Sequence, residues 1–458
     1  MNPDNCILCN NGVNYLETIN CDSFIVFFPE QYSENEANTF IQKSPAFKGK
    51  EISLVISNIK TKTIRNKCKL PDNTQSVLFV YGANDEIVKS YNFKELSGST
   101  TKAINALIRN NIKVYEKRVE DERFTSLGYE EVCTVARDMI CLSYPRNKIM
   151  IVDEDYNLKH ILLPKYLPIQ QIYTVYNNND TTGFYHYNKR IQSLHQRGKT
   201  PLFQFNSIKP YTDSSYLVMG SLYVATKGMY QGQPSMRISQ KLMLIEFMEN
   251  KIISIHSLKT DKRSQIKRGF YPDYTNYTKS FDNKGIDVAI ERDNNRGRKL
   301  FLAKLNSDNG QTSLDYAYRN QLPKRIKKDT TPYLVYTFYK VNKHIFFKYD
   351  FENVYTYNGK SKLSTSIISG LDETTKGMLK SDYMLECVSK QPFGYELLFV
   401  DDAFKTCKVL RLNNDLSYIC MLNSDILRKS KSNVAYDYES SSYCFRSNDN
   451  VVIQLTLE

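Results

Sequence analysis

The sequence predicts a mainly β protein: a six-bladed β-propeller preceded by a small α/β domain. Three observations predict it. Tyr (34) and Phe (23) are abundant among the 458 residues, and aromatic and β-branched side chains fit the pleated surface of a strand. Helical periodicity nearly vanishes after about residue 130, where short alternating apolar and polar runs, separated by Asn, Asp, Gly or Ser turns, take over. Finally, one unit of strand, polar turn and strand recurs along that stretch.

The N-terminal residues read as alternating helices and strands. Asn10–Ile19 places Val13, Leu16 and Ile19 on one helical face. Ser23–Phe28 (SFIVFF) is a continuous apolar run ended by Pro29, the pattern of a buried strand. Ser33 followed by Glu36 is a capping box, so a helix is expected over Ser33–Phe40. Glu51–Ser57 is a second apolar strand. Ser76–Tyr81 and Glu86–Phe93 flank Gly82-Ala83-Asn84-Asp85 as a hairpin, and Thr100–Asn110 is amphipathic with Ile104, Leu107 and Ile108 inward. The order describes one α/β layer over residues 1–115.

The repeated hairpin appears at Lys148–Ile161, Gly183–Leu194, Lys241–Ser257, Lys299–Leu314, His344–Tyr357 and Glu396–Leu412, with starts 35, 58, 58, 45 and 52 residues apart. Further strands are expected at Tyr216–Ala225, Ile286–Glu291, Tyr333–Tyr339 and Tyr383–Val388. A four-stranded unit returning every ~40–50 residues marks a propeller blade, and six hairpins predict six blades over residues 130–458. A β-sandwich also spaces its strands closely, but it does not easily return one hairpin type at such long intervals.

The repeated unit (IMIVDEDYNLKHI, LLFVDDAFKTCKVLRL) resembles TolB-like and NHL-like six-bladed β-propeller proteins over about residues 130–458. The preceding segment resembles thioredoxin-like domains over about 110 residues: CILC opening a helix, then SFIVFF, a second helix, the SVLFVY/EIVKSYNF hairpin and a closing helix. It departs from them in two places. A strand normally precedes the CxxC, whereas five residues precede Cys6, and Gln75 stands where a Pro normally precedes the hairpin strand. The domain therefore reads as incomplete. Proteins of this combined type, the resemblance implies, sit outside the cytoplasm as anchored envelope proteins.

Composition bounds the function classes. Lys plus Arg is 62 against 49 acidic residues, a net charge of +13. That balance fits an acidic partner, but the basic residues are spread along a chain equally rich in Asn, Tyr and Ile, so coding bias is the simpler reading. The basic stretches at residues 259–268, 292–299 and 324–328 lack any helix-turn-helix, zinc-finger or RNP-like companion, and read as loop charge rather than a nucleic-acid interface. No apolar stretch reaches the ~18 residues of a membrane span. Met1–Asn5 has neither a basic nor an apolar region of a signal peptide, so Met1 taken as the native start implies the cytoplasm.

Candidate chemistry is sparse. Cys6 and Cys9 form a CxxC at a helix start, where the helix dipole favours a thiolate. Cys6 would attack a disulfide and Cys9 resolve it, while a vestigial structural pair is the plainer reading. A zinc site needs a second pair, and Cys21 and Cys68 lack zinc-module spacing. His160, His186, His195, His256 and His344 show no metal spacing and read as surface or turn residues. Asp153-Glu154-Asp155 and Asp401-Asp402 suit Asx turns better than calcium loops. Asp287 and Glu291 share one strand face, as paired carboxylates of a propeller hydrolase or lyase would. No GxxxxGK(S/T), GxGxxG or GxSxG occurs. The expected function is therefore non-enzymatic: recognition of a protein, peptide or carbohydrate at a propeller face or channel, with no cofactor and no metal. The alternatives are a thiol–disulfide oxidoreductase using Cys6 and Cys9, and a propeller hydrolase or lyase.

Overall fold

The computed structural model describes residues 15–21, 23–28, 33–56, 77–81, 87–92, 96–109, 111–124, 130–143, 147–168, 184–185, 202–230, 233–257, 272–279, 285–292, 299–308, 311–318, 338–348, 350–356, 364–401, 403–426, 430, 432–447 and 450–458. The N-terminal elements form where their patterns place them. Strand Ser23–Phe28 pairs in parallel with Glu51–Ile56, and helix α1 (Glu34–Lys43) joins them. Ser33 caps α1 through the expected box: its hydroxyl accepts from the Glu36 amide, and the Glu36 carboxylate accepts the Ser33 amide at 2.8 Å. The hairpin is Val77–Tyr81 against Ile87–Asn92, and helix α2 (Gly98–Leu107), capped by Ser97, follows it. Of the expected first helix, the described part is a short turn whose Leu16 and Ile19 are buried.

Among the described residues the two strand pairs do not join into one sheet, as a thioredoxin-like domain would require. They meet instead through side chains: Val26, Val80, Leu96 and Ile104 share one apolar core.

From residue 112 onward the chain builds a mainly β propeller. Sheet I is Glu130–Val135, Asp138–Ser143, Lys148–Val152 and Leu158–Leu162. Sheet III is Pro272–Lys279, Gly285–Arg292, Lys299–Asp308 and Gln311–Tyr318. Sheet IV is Phe338–Val341, His344–Phe347, Asp350–Thr356 and Ser364–Ile367, and sheet V is Tyr383–Gln391, Gly394–Asp401, Thr406–Asn413 and Tyr418–Asp425. Sheet VI takes Ala435–Asp437, Ser442–Arg446 and Val451–Leu457 from the C-terminus and its outer strand, Ile112–Arg118, from the other end of the chain.

These five sheets are four-stranded antiparallel meanders. Sheet II (Leu202–Pro210, Tyr216–Tyr230, Gln233–Met248, Lys251–Ser257) departs from that form, so the expectation of six like blades meets five regular ones. Its central hairpin runs to 15 and 16 residues, long enough to expose an extra edge that Phe184–Tyr185 occupies, opposite Gln240 and Ser239. The expected hairpin at Gly183–Leu194 is thus corrected: its described strand pairs with residues more than fifty positions away, and residues 186–194 lie outside the described set.

The first strands of the sheets touch in succession: that of sheet VI with sheet I, I with II, II with III, IV with V, and V with VI. They are the innermost layer around the axis. Alternation then sends successive side chains to opposite neighbours. In sheet I, Ile140, Leu142, Ile149 and Ile151 pack against Phe203, Val218, Leu222 and Ile245 of sheet II. The residues between them, Met139, Cys141, Met150 and Val152, pack against Ala435, Cys444 and Val452 of sheet VI. Sheet V behaves alike, sending Leu397, Phe399 and Leu410 toward sheet IV and Leu398, Val400 and Val409 toward sheet VI. Both faces are covered, which is why these strands read as unbroken apolar runs.

Helix α3 (Glu373–Asp382), capped by Asp372, links sheets IV and V. It is the one α-helix among the described residues beyond 130, and the expected run of strands does not include it. The Asp372-x-x-Thr375 cap was its signal, since the Asp372 carboxylate accepts the Thr375 amide at 2.8 Å.

Closure rests on the pairing of Ile112–Arg118 with Val451–Leu457, extended by two hydrogen bonds between the Asn111 and Glu458 backbones at 3.0 and 2.9 Å. Adjacent residues in a strand direct their amides to opposite edges, so replacing both Tyr115 and Glu116 by Pro must break one ladder bond. The double variant is expected to lose about 3 kcal/mol or more, read as a lower urea midpoint. An unchanged midpoint would show that the ring does not depend on this strand.

Candidate functional site at the inner turns

The turns joining first and second strands gather on one end of the propeller. Val135–Asp138 makes the tight turn of sheet I, with Ala136 at φ 50° and Arg137 at 65°, the left-handed pair that matches strand twist. The turn of sheet IV has Asn342 at φ 53°. In sheet V, Gly394 lies so close to the third strand that a Cβ would fall 2.0 Å from the Leu412 carbonyl oxygen. In sheet VI, Asp437 organises the turn by accepting the amides of Glu439 (3.1 Å) and Ser440 (3.3 Å) and the Ser440 hydroxyl (2.5 Å).

Aromatic and charged side chains collect there. Tyr438 is 60% exposed. Its ring stands edge-on to Tyr436 at 4.9 Å, and Tyr436 in turn packs on Tyr443 at 4.8 Å. The Tyr438 hydroxyl accepts the Lys390 amide at 3.4 Å. Behind it the Gln391 amide donates to the Tyr436 hydroxyl (2.6 Å) and to Ser389 (3.0 Å). Arg137 ties sheet I to sheet VI, reaching Glu154 at 2.9 Å and Glu439 at 2.5 Å. His344 is buried, contrary to the surface or turn role expected of it: its Nδ1 lies 2.5 Å from the Tyr395 hydroxyl. Burial, with Lys343 and Lys390 nearby, pulls its pKa down to about 4.

Deeper along the axis, two inner-strand carboxylates each have a lysine. Glu131 of sheet I takes Lys209 of sheet II at 2.7 Å and the Ile208 amide at 3.2 Å. In sheet V the register shifts between Leu385 and Cys387, a bulge that re-aims Glu386 onto Lys348 of the neighbouring sheet at 2.6 Å. Burial raises the Glu386 pKa despite that lysine. Among the described residues no group of three His, Cys, Asp or Glu is placed to hold a metal.

The strongest buried pair ties the two parts of the chain together. Arg411 of sheet V donates to Glu396 at 3.0 Å and to the Leu107 carbonyl, at the end of α2, also at 3.0 Å. A cation at a helix C-terminus is favourably placed. Glu396 also accepts from the Tyr443 hydroxyl at 3.3 Å, and its pKa is raised by burial. Phe393, in the sheet V turn, sits in the N-terminal core beneath the Arg411 guanidinium.

The sites expected from sequence fall out as follows. Cys6 and Cys9 lie outside the described residues, as do Cys68, His186, His195, Asp402, residues 259–268 and 324–328, and the interior of residues 292–299. Among the described residues no cysteine is in a disulfide. Burial pushes the thiols of Cys387, Cys407 and Cys444 up to about 12 and that of Cys133 further, which suits packing and not thiolate chemistry. Asp153 makes an Asx turn, accepting the Asp155 and Asn157 amides at 3.0 and 2.8 Å, and Asp401 likewise accepts the Lys405 amide at 2.7 Å. Asp287 and Glu291 lie on the second strand of sheet III, one position out from the innermost layer. Tyr438, Lys390 and the Glu131 and Glu386 pairs carry no signal in the sequence, because only the convergence of separate turns and strands distinguishes them.

No protein-family model matches the chain, and no curated protein matches its sequence. Among solved structures it is similar to a streptogramin B lyase at 14% identity and TM-score 0.34, covering 76% of this chain and 98% of that one. It is also similar to a member of the DUF4221 family from Bacteroides vulgatus at 12% identity and TM-score 0.40 (76% and 99% covered). A third is a putative exported protein from Bacteroides fragilis at 9% identity and TM-score 0.38 (76% and 95% covered). Likenesses at these levels carry no functional argument, and the propeller assignment rests on strand order and packed faces. No helix of the described residues is long and apolar enough to cross a membrane.

Two outcomes follow from these buried groups. Arg411→Met strands the Glu396 carboxyl and is expected to cost ~3–5 kcal/mol, with faster proteolysis of the N-terminal segment. Adding Glu396→Gln restores part of that stability, and a double variant no better than the single would contradict the pairing. His344 has a folded pKa below its unfolded value, so its contribution is complete above about pH 6.5 and is lost as pH falls toward about 4. Over that window the urea midpoint of the wild type should drop more steeply than that of His344→Gln, and parallel curves would contradict this.

Proposed function

We propose that the protein is a non-enzymatic recognition module whose ligand, a protein, peptide or carbohydrate, seats on the inner-turn face around Tyr438. The observation that carries this reading is Tyr438: a large aromatic ring left 60% exposed at the inner end of sheet VI while Tyr436, itself packed on Tyr443, braces it. A stiff amphipathic ring gives contact area at low entropic cost. Binding is favoured over turnover because, of the inner-strand carboxylates described, Glu131 and Glu386 are each engaged by a lysine and Asp437 by its own turn, whereas glycoside hydrolysis needs two carboxyl groups flanking a scissile bond.

In this reading sheet II is a sixth blade, supported by the core it shares with sheet I and by contact of its innermost strand with that of sheet III. The chain divides near residue 110, since Ile112–Arg118 pairs with sheet VI. The N-terminal part is read as an incomplete thioredoxin-like segment on the order of its strands and of α1 and α2, and the family resemblance supports an envelope location.

The test is a screen of immobilised glycans and a displayed peptide library with the full chain and with Tyr438→Ala. Ligands bound by the wild type should lose at least about tenfold in affinity in the variant, the worth of a hot-spot aromatic, with the unfolding midpoint unchanged. Ligands bound equally by both would overturn the placement. Conversion of a bound ligand to product, abolished by Glu386→Gln, would overturn the non-enzymatic reading.

A further inference from the structure

We propose that the junction between the N-terminal hairpin and sheet V is an anion-binding notch, in which Lys89 and Lys390 reach the Asn413–Asn414 turn, Lys343 stands in the neighbouring turn of sheet IV, and the three receive a carboxylate or phosphate group of the ligand. This deepens the recognition reading by naming the ligand's chemistry. It adjoins the same face, since Tyr438 accepts the Lys390 amide.

The two halves of the chain each send an ammonium group to consecutive residues. Lys89, from the hairpin strand Ile87–Asn92, donates to the Asn413 side-chain oxygen. Lys390, from the innermost strand of sheet V, donates to the Asn414 side-chain oxygen at 2.5 Å and to the Gly394 carbonyl at 3.0 Å. It lies 4.4 Å over the Tyr395 ring. These oxygens are neutral, and an ammonium carries three N–H donors. Lys343 lies exposed beside His344, whose Nδ1 meets the Tyr395 hydroxyl under Lys390.

Among the described residues, the ammonium groups of Lys89 and Lys390 therefore meet at one turn with little carboxylate compensation. The carboxylate acting on Lys89 is that of Asp415, which already accepts the Ser417 amide (3.1 Å) and hydroxyl (2.7 Å). Other cations described on this face are matched by carboxylates: Arg137 has two and Lys159 has Asp138. Gathering like charges in a partly buried place raises the energy of the unliganded protein, and an oxyanion relieves it through charge-assisted hydrogen bonds. The same surroundings hold the Lys89 and Lys390 ammonium groups below their usual range through burial, and keep His344 neutral at pH 7. If the lysines served only to fasten the hairpin to sheet V, an added anion would gain nothing there.

The test is isothermal titration of the full chain with inorganic phosphate and, separately, with acetate, at ionic strength held constant by chloride. Saturable binding of either oxyanion is expected. Lys343→Met and Lys390→Met should each raise Kd about tenfold, the scale of one charged hydrogen bond, while Lys117→Met, on the outer strand of sheet VI, leaves it unchanged. Lys343 is exposed, so its variant reports even if Lys390→Met fails to fold. Binding of phosphate alone assigns a phosphate-bearing ligand, and binding of acetate a carboxylate. Heats no different from chloride for both anions, or affinities unaltered in Lys343→Met, would overturn the notch. If the notch fails while Tyr438→Ala still loses its ligands, the recognition reading stands without it.

Discussion

Two-faced burial is the constraint on which this structure depends. Asp138–Ser143 and Lys148–Val152 are buried along almost their whole length, because one face lies on sheet II and the other on sheet VI. A sheet of this kind has no solvated face and cannot be stable by itself. Each must have two neighbours, and a row of such sheets is satisfied only by closing. The chain closes it by laying Ile112–Arg118 along Val451–Leu457, so residues more than 330 positions apart share one sheet.

Closure has consequences for function. With the sheets locked by their neighbours, the turns at either end are the parts free to vary, and side chains from distant positions meet there on a rigid frame. Tyr438, Lys390, Asn414 and His344 come from three different sheets; Lys390 bonds to both Tyr438 and Asn414, His344 bonds to Tyr395, and the Tyr438 ring rests on Tyr436. The N-terminal segment joins this face through Arg411, whose guanidinium reaches from Glu396 in sheet V to the end of α2. A buried ion pair of this kind is weak support for stability but costly to break, which makes it suited to fixing how two parts of a chain meet.

The elements most legible in the sequence are those whose signal is local. SFIVFF, the Ser33–Glu36 box, the hairpin around residues 77–92 and the hairpins at 148–161, 241–257, 299–314, 344–357 and 396–412 lie where apolar runs and turn residues place them. The Asx character of the Asp153 and Asp401 turns was legible for the same reason. The elements missed have weaker local patterns: α3 has only Leu379 buried, and Ile112–Arg118 alternates so faintly that four of its last five residues are exposed. The exception at Gly183–Leu194 is instructive, because its alternation was real but its partner was the overlong strand Gln233–Met248.

By itself the sequence determined the class of structure, the place of most strands and the polar character of their turns, because those depend on period, composition and capping within a few residues. Tertiary structure decided which edges pair, that sheet II outgrows the regular blade, that His344 is buried, and that Lys89 and Lys390 meet at the Asn413–Asn414 turn. These depend on contacts between residues far apart in the chain, and no local pattern encodes a distance across the ring. The candidate site belongs wholly to this second kind, since its members acquire meaning only when separate turns are carried to one face.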